Sequence, residues 1–201
     1  MPDTRTAQDA DLLVASLTDM PPAMARPVMV VVSGLPGTGK SSFSRRLVEL
    51  VPLLVLETDV LRRVLVLDPT YSKEESARLF QACHLLISRL LKQGVPLLLD
   101  ATNLVEAHRE RLYHIAEQTG VRLVLVFVTA PPEVIRGRLQ RRQEGIDGPQ
   151  DHSTADWSVY QRMRISAEPL RRSHFTVDTS RDLESVMARI AGEIRRWMRT
   201  A

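Results

Sequence analysis

Residues Gly34–Ser41 read GLPGTGKS and restrict this chain more than any other stretch. Gly34, Gly37 and Gly39 crowd together, and Lys40 and Ser41 close the run. Just before it, Val28–Ser33 (VMVVVS) is apolar and β-branched up to its last residue, the pattern of a strand buried on both faces. Just after it, a helical pattern runs from about Lys40 to Leu50. The loop matches G-x-x-x-x-G-K-[ST] at every fixed position, and its setting between strand and helix is the one that motif requires. Phosphate explains the residue types. Its oxygens must come close to backbone N–H groups, so side chains are excluded at the three glycines. The helix that follows turns its positive end toward the anion. Lys40 reaches the β- and γ-phosphates, and the Ser41 hydroxyl ligates Mg²⁺. Gly34, Leu35, Pro36, Gly37, Thr38, Gly39, Lys40, Ser41 and Ser42 are therefore the expected contacts of Mg·ATP. The competing reading is a plain glycine turn before a helix.

Short apolar runs then alternate with helical patterns. Strands are expected at Leu53–Glu57, Val95–Asp100, Val121–Thr129 and His174–Asp178. Between them, helices are expected from near Asp59, over Lys73–Lys92, Glu106–Thr119 and Pro131–Arg142, and finally over Asp182–Arg199. Ser153 and Asp156 suggest a capping box that opens one more helix. Such alternation predicts an α/β fold, a parallel sheet covered on both faces. Ligands of such sheets sit at the carboxyl ends of the strands. That rule gathers Ser33–Gly34, Glu57–Asp59, Asp100–Asn103 and Thr129–Ala130 into one site. Ahead of the first strand, residues 1–27 read as one weak amphipathic helix (Leu12, Leu13, Ser16 and Leu17 on a face) and a Pro-rich connector. Residues 28–201 read as the main domain.

Composition narrows the setting. Cys83 is the single cysteine among 201 residues, so no intrachain disulfide is possible and a reducing compartment fits. No apolar run approaches the ~20 residues of a membrane span, and the polar start shows no signal peptide. The cytoplasm is the expected location, with no membrane partner. A net charge of +3 permits an anionic substrate without demanding one. Aromatics are only 4%, too few for base stacking to dominate a nucleic-acid contact. The five histidines make no metal-ligand spacing.

Three further groups carry candidate chemistry. Asp59 follows the second strand, with Arg62 one helical turn on. A carboxylate there can take the proton from an attacking hydroxyl, and the arginine can hold an anionic acceptor. An N-cap aspartate beside a surface arginine is the other reading. Asp100 ends the third strand (LLLD), where it would bind Mg²⁺ directly or through water. Thr102 and Asn103 follow it and could contact the acceptor or cap the next helix. Arg136, Arg138, Arg141 and Arg142 crowd one helix before a Gly/Pro loop. Arg138 and Arg142 are expected to close over the triphosphate, Arg138 also stabilising charge in transfer. A solvated basic face is the alternative. Cys83 reads as core, and Trp157 and Tyr160 as packing beneath the mobile segment.

These residues resemble small P-loop kinases of the zeta-toxin and polynucleotide-kinase type, with gluconate, shikimate and adenylylsulfate kinases and chloramphenicol phosphotransferase more distant. The resemblance runs from about Val28 to Ser180. It is carried by GLPGTGKS, by Asp59-Val-Leu-Arg62, by Leu99-Asp100-Ala-Thr-Asn103, and by Ala130-Pro-Pro-Glu133 followed by Arg136–Arg142. It implies a P-loop NTPase three-layer sandwich: a five-stranded parallel sheet in the order 2-3-1-4-5 with a helical lid at about 136–156. It implies that Asp59 is the base and that Arg62 helps place the acceptor. The Asp-x-x-Arg element resembles that of 5′-hydroxyl polynucleotide kinases, although some of these carry a second aspartate where this chain has Thr58. The expectation is an ATP-dependent kinase acting on a hydroxyl, either a 5′-hydroxyl nucleic-acid end or a small metabolite. A nucleotide-dependent ATPase or switch without an acceptor is the alternative.

Overall fold

Parallel strands cannot be joined by tight turns, so each connection must cross over a face of the sheet. This chain makes those crossings with helices. The computed structural model describes residues 3–146 and 155–199. Helix α1 (Thr4–Ala15) precedes β1 (Val28–Ser33), α2 (Lys40–Leu50), β2 (Leu54–Glu57), α3 (Thr58–Leu65) and α4 (Lys73–Lys92). There follow β3 (Leu97–Asp100), α5 (Glu106–Thr119), β4 (Arg122–Thr129), α6 (Pro132–Gln143), α7 (Trp157–Ser166), β5 (Phe175–Asp178) and α8 (Glu184–Arg199). The five strands pair in parallel in the order β2-β3-β1-β4-β5, the order the resemblance implies.

Period-two alternation along β1 divides the core. Met29 and Val31 join Leu56, Leu79, Leu86, Leu97 and Leu112 on the face covered by α4 and α5. Val28, Val30 and Val32 join Phe43, Leu47, Met187, Ile190 and Ile194 on the face covered by α2 and α8. Burial on both sides is why β1 is apolar without interruption. Cys83 is buried in the first layer, and burial pushes its thiol up to about 12. Leu13 of α1 is wholly buried in that layer too, while Leu12, expected on the same face, is exposed. Asp9 fixes the helix to α4 through two bonds from Arg78, Nε to Oδ2 and Nη2 to Oδ1, each 2.7 Å. Arg78 holds the Asp9 carboxyl below the usual carboxylate range.

Element ends depart from the sequence reading for local reasons. β3 starts at Leu97 instead of Val95 because the Val95 N–H turns back to the Leu90 carbonyl at 2.9 Å, finishing α4. Pro96 has no N–H to give the ladder, but its carbonyl accepts from Leu54 N at 2.9 Å. α8 starts at Glu184 instead of Asp182, because Asp182 Oδ1 accepts from the Glu184 N–H at 3.3 Å. Asp156 caps α7 by accepting from Val159 N at 2.8 Å. Ser153, its expected partner in a capping box, lies outside the described residues, as does most of the Gly/Pro loop between α6 and α7.

Candidate functional site

Parallel pairing puts β-strand ends level with each other. Asp100 stands beside Val32 of β1 and Glu57 of β2 in register, so the chain turns into the phosphate loop, α3 and the β3–α5 loop at one edge. A cavity of about 1190 Å³ opens there. Pro36, Gly37, Gly39, Lys40, Ser41 and Ser42 line its phosphate-loop side. Asp59, Arg62, Asp100, Thr102 and Asn103 line it as well, and Arg138 and Arg142 reach it from α6. Gly34, Leu35 and Thr38, also expected as contacts, are not part of the lining. Thr38 Oγ1 donates back to the Leu35 carbonyl at 2.8 Å, and Leu35 packs against Ile135, Leu139 and Tyr160.

Glycine is required in this loop for a reason beyond phosphate approach. A Cβ on Gly34 would lie 2.3 Å from the Val128 carbonyl oxygen, a collision with backbone that nothing nearby can relieve. Gly39 sits at φ +90°, and a Cβ there would meet Arg138 Nη1 and Thr179 Oγ1, both at 3.2 Å. The loop is thus wedged against β4, α6 and the β5–α8 turn. Its own links reinforce this. Gly34 N donates to the Thr102 carbonyl at 3.1 Å, and Lys40 Nζ to the Leu35 carbonyl at 3.2 Å.

Asp100 is nearly buried beneath the loop, and Ser44 Oγ donates to its Oδ2 at 3.3 Å. Burial raises its carboxyl above the ordinary value, against the pull of Lys40, Ser41, Ser44 and Arg45. A desolvated carboxylate beside a serine hydroxyl is a hard oxygen pair, suited to a Mg²⁺ that completes its shell with water and phosphate oxygens. Ser41 and Asp100 therefore fit the metal role expected of them. No cluster of three or more His, Cys, Asp or Glu ligands exists among the described residues, so a metal here would depend on phosphate and water for the rest of its shell.

Asp59 lies in the first turn of α3, whose N-cap is Glu57, and so is not the cap. The N-cap reading of Thr102 and Asn103 also fails, because α5 is preceded by Val105 and neither side chain caps it. Asn103 instead has φ +44° and is buried, with its Nδ2 making no hydrogen bond. Arg62 lines the cavity, but its Nη1 is paired with Glu75 Oε1 and its guanidinium lies 4.6 Å from the Tyr71 ring centroid. Arg138 Nη1 donates to Thr179 Oγ1 at 2.7 Å and its Nη2 to the Thr179 carbonyl at 2.9 Å. Thr179 Oγ1 in turn donates to the Thr38 carbonyl at 2.6 Å. Arg136 faces away and lies 5.7 Å from the Trp157 ring centroid, and Trp157 stacks on Tyr160 at 4.7 Å.

Glu75 and Arg109 escaped the sequence reading, and Thr179 entered it only within the fifth strand end, Asp178–Ser180. Thr179 ties α6, the phosphate loop and the end of β4 together, and only its place after a strand end marks it. Glu75 neutralises Arg62 across a helix-to-helix gap that no motif spans. Arg109 is wholly buried and clamps the β3–α5 loop, donating to the carbonyls of Asn103 (2.8 Å), Glu168 (3.1 Å) and Pro169 (2.9 Å). Its signal is a helical arginine three residues after Glu106, with which it pairs.

The fold is a P-loop kinase-like one. Residues 29–170 match the family model described as an AAA domain, and the chain belongs to that family. Kti12 from Chaetomium thermophilum, solved with ADP-AlF3, superposes with a TM-score of 0.67 at 20% identity, covering 86% of this chain and 100% of its own. A gluconokinase from Sinorhizobium meliloti gives 0.58 at 20% identity, covering 86% and 94%. The APS kinase CysC of Mycobacterium tuberculosis, solved with AMPPNP and APS, gives 0.57 at 22% identity, covering 89% and 100%. At these identities the likeness establishes the fold. No helix among the described residues is long and apolar enough to cross a membrane.

Proposed function

We propose that the protein transfers the γ-phosphoryl group of Mg·ATP to a hydroxyl acceptor. The observation that carries this reading is the shared cavity, whose lining includes Lys40, Ser41, Asp59 and Asp100 together. An ATPase needs the phosphate loop, whereas a kinase also needs a group that takes the proton of the attacking hydroxyl. The nucleotides held by Kti12 and by the APS kinase in their structures agree with this assignment of the phosphate loop.

Mg²⁺, when held by Ser41 and Asp100, supplies positive charge to the β- and γ-phosphate oxygens. Lys40 and the backbone N–H groups at the start of α2 position the triphosphate. Arg138, held by Thr179, lies beside Gly39, where it offsets charge that develops in transfer. Asp59 accepts the proton of the attacking hydroxyl.

Phosphorus NMR tests the reading. With Mg·ATP and a mixture of hydroxyl compounds, the γ-phosphorus signal should move into a phosphate-ester resonance. Lys40→Ala should abolish that conversion. If the signal passes only into inorganic phosphate, the protein is a nucleotide-dependent ATPase or switch, the second reading of the same loop.

A further inference from the structure

An arginine ends a long flexible chain, so its charge acts from a fixed place only where something holds the guanidinium. For Arg138 the holder is one residue. Its Nη1 donates to Thr179 Oγ1 at 2.7 Å and its Nη2 to the Thr179 carbonyl at 2.9 Å, so both prongs of the fork grip Thr179. Thr179 is itself anchored. Its N–H donates to the Thr129 carbonyl at 2.9 Å, which fixes it at the end of β4. Its hydroxyl donates to the Thr38 carbonyl at 2.6 Å, with the Thr129 carbonyl further off at 3.4 Å. A threonine hydroxyl has one proton to give, so with that proton on Thr38 it accepts from Arg138. The bonds form a polar chain of one sense, from guanidinium to hydroxyl to the carbonyl of the phosphate loop, and each polarises the next.

Packing closes the same joint. A Cβ on Gly37 would meet Ile135 Cγ2 and Leu139 Cγ, each at 3.0 Å, and these two residues flank Arg138 in α6. A Cβ on Gly39 would meet Arg138 Nη1 and Thr179 Oγ1, each at 3.2 Å. Helix α6 therefore lies hard against the phosphate loop at the level of Arg138. Gly37, Gly39, Arg138 and Thr179 all line the cavity. The partners of Arg138 in this joint belong to the protein, so the fold sets where the guanidinium stands.

We propose that Thr179 is a positioning residue whose hydroxyl presets Arg138 beside the phosphate loop, ready for the triphosphate. The inference rests on the phosphotransferase reading above, of which it uses only the nucleotide half. An arginine fixed on folding gives up no rotamer freedom when nucleotide binds, whereas a mobile one does, and that difference appears as affinity. The rival account gives Thr179 no part in placing Arg138 and has it shape the loop through Thr38 alone.

The test uses the full chain and Mg·AMPPNP, so that no transfer is needed. Titration calorimetry reads affinity, and nitrogen NMR of the arginine side chains reads whether the Arg138 Nη groups rotate. Thr179→Val keeps the shape and the backbone contacts but loses the hydroxyl. It should weaken Mg·AMPPNP about fivefold or more, as loss of a hydrogen bond to a charged group does. Thr179→Ser keeps the hydroxyl and should stay within about twofold of the parent. Added to Arg138→Ala, Thr179→Val should change affinity by less than about twofold, because the two act through one contact. The parent without nucleotide should show hindered Nη rotation at Arg138, and Thr179→Val should lose it. If circular dichroism shows that Thr179→Val does not fold, the parent's NMR signal, identified by its loss in Arg138→Lys, decides alone. Free Nη rotation in the parent overturns the proposal. So does an equal loss of affinity in Thr179→Val and Thr179→Ser, or no loss in either. A Thr179→Val effect that persists undiminished in Arg138→Ala also overturns it and places the role in the loop. A parent that meets every expectation yet transfers no phosphoryl group keeps the Thr179 assignment and counts against the phosphotransferase reading.

Discussion

The phosphate loop shares one cavity with side chains from α3, α4, α5 and the β3–α5 loop, yet the first is a run of backbone and the second a scatter of side chains. The loop is eight consecutive residues whose geometry is set by glycine positions and by contacts to β4, α6 and Thr179. The rest of the lining takes Asp59 and Arg62 from α3, Phe80 from α4, Asn103 from a loop and His108 from α5. A backbone cradle tolerates little change and binds whatever carries a triphosphate. A side-chain wall can be rewritten one residue at a time, which is how one fold can serve gluconate in one relative and adenylylsulfate in another.

Substitutions can break that contrast in decreasing order of effect. Gly34→Ala drives a Cβ onto the Val128 carbonyl and should lower turnover by about 10³-fold, near the upper range for loss of preorganised phosphate contacts. Nucleotide titration and circular dichroism would show binding lost with secondary structure kept. Asp59→Asn should cost about 10²-fold in transfer, as expected for a general base, while nucleotide affinity stays within about twofold of the parent. Arg138→Lys loses the two-pronged grip on Thr179, at about 1.5–3 kcal/mol for a charged hydrogen-bonding group, and should raise the KM for ATP about tenfold. An unchanged KM would remove Arg138 from the nucleotide site.

The smallest effect sharpens the acceptor side. Glu75 is depressed from 4.5 to about 2 in the folded chain. A depressed carboxyl contributes stability that is complete above its unfolded value and is lost as pH falls through the folded one. Melting temperature should therefore fall between about pH 4.5 and pH 2 more steeply in the parent than in Glu75→Gln, and the two curves should converge at the acid end. Parallel curves would mean that Glu75 is not held ionised by Arg62 and Thr70.

The same contrast explains what the sequence disclosed. Both sheet faces and the loop were legible because hydrophobic period and glycine spacing are local signals, whereas the strand order came only from the resemblance those motifs carry. Asp100 was legible because it ends an apolar strand. Arg62 illustrates where such reading stops. Its place one turn after Asp59 is local, but its pairing with Glu75 is set by how α3 packs on α4, and no spacing rule encodes that contact. Thr179 and Phe80 were hidden for the same reason. Each joins the site through tertiary packing, from elements far apart in the chain.

On the proposed reading the phosphate loop holds the nucleotide and Asp59 serves the acceptor, so substitution can separate the two. The most direct test follows γ-labelled Mg·ATP with a mixture of hydroxyl compounds, in the parent and in Asp59→Asn, alongside nucleotide affinity. Label on the organic product is expected with the parent, almost none with Asp59→Asn, and equal nucleotide affinity in both. Label that appears only as inorganic phosphate, at the same rate in both proteins, would contradict that reading and leave the phosphate loop serving an ATPase.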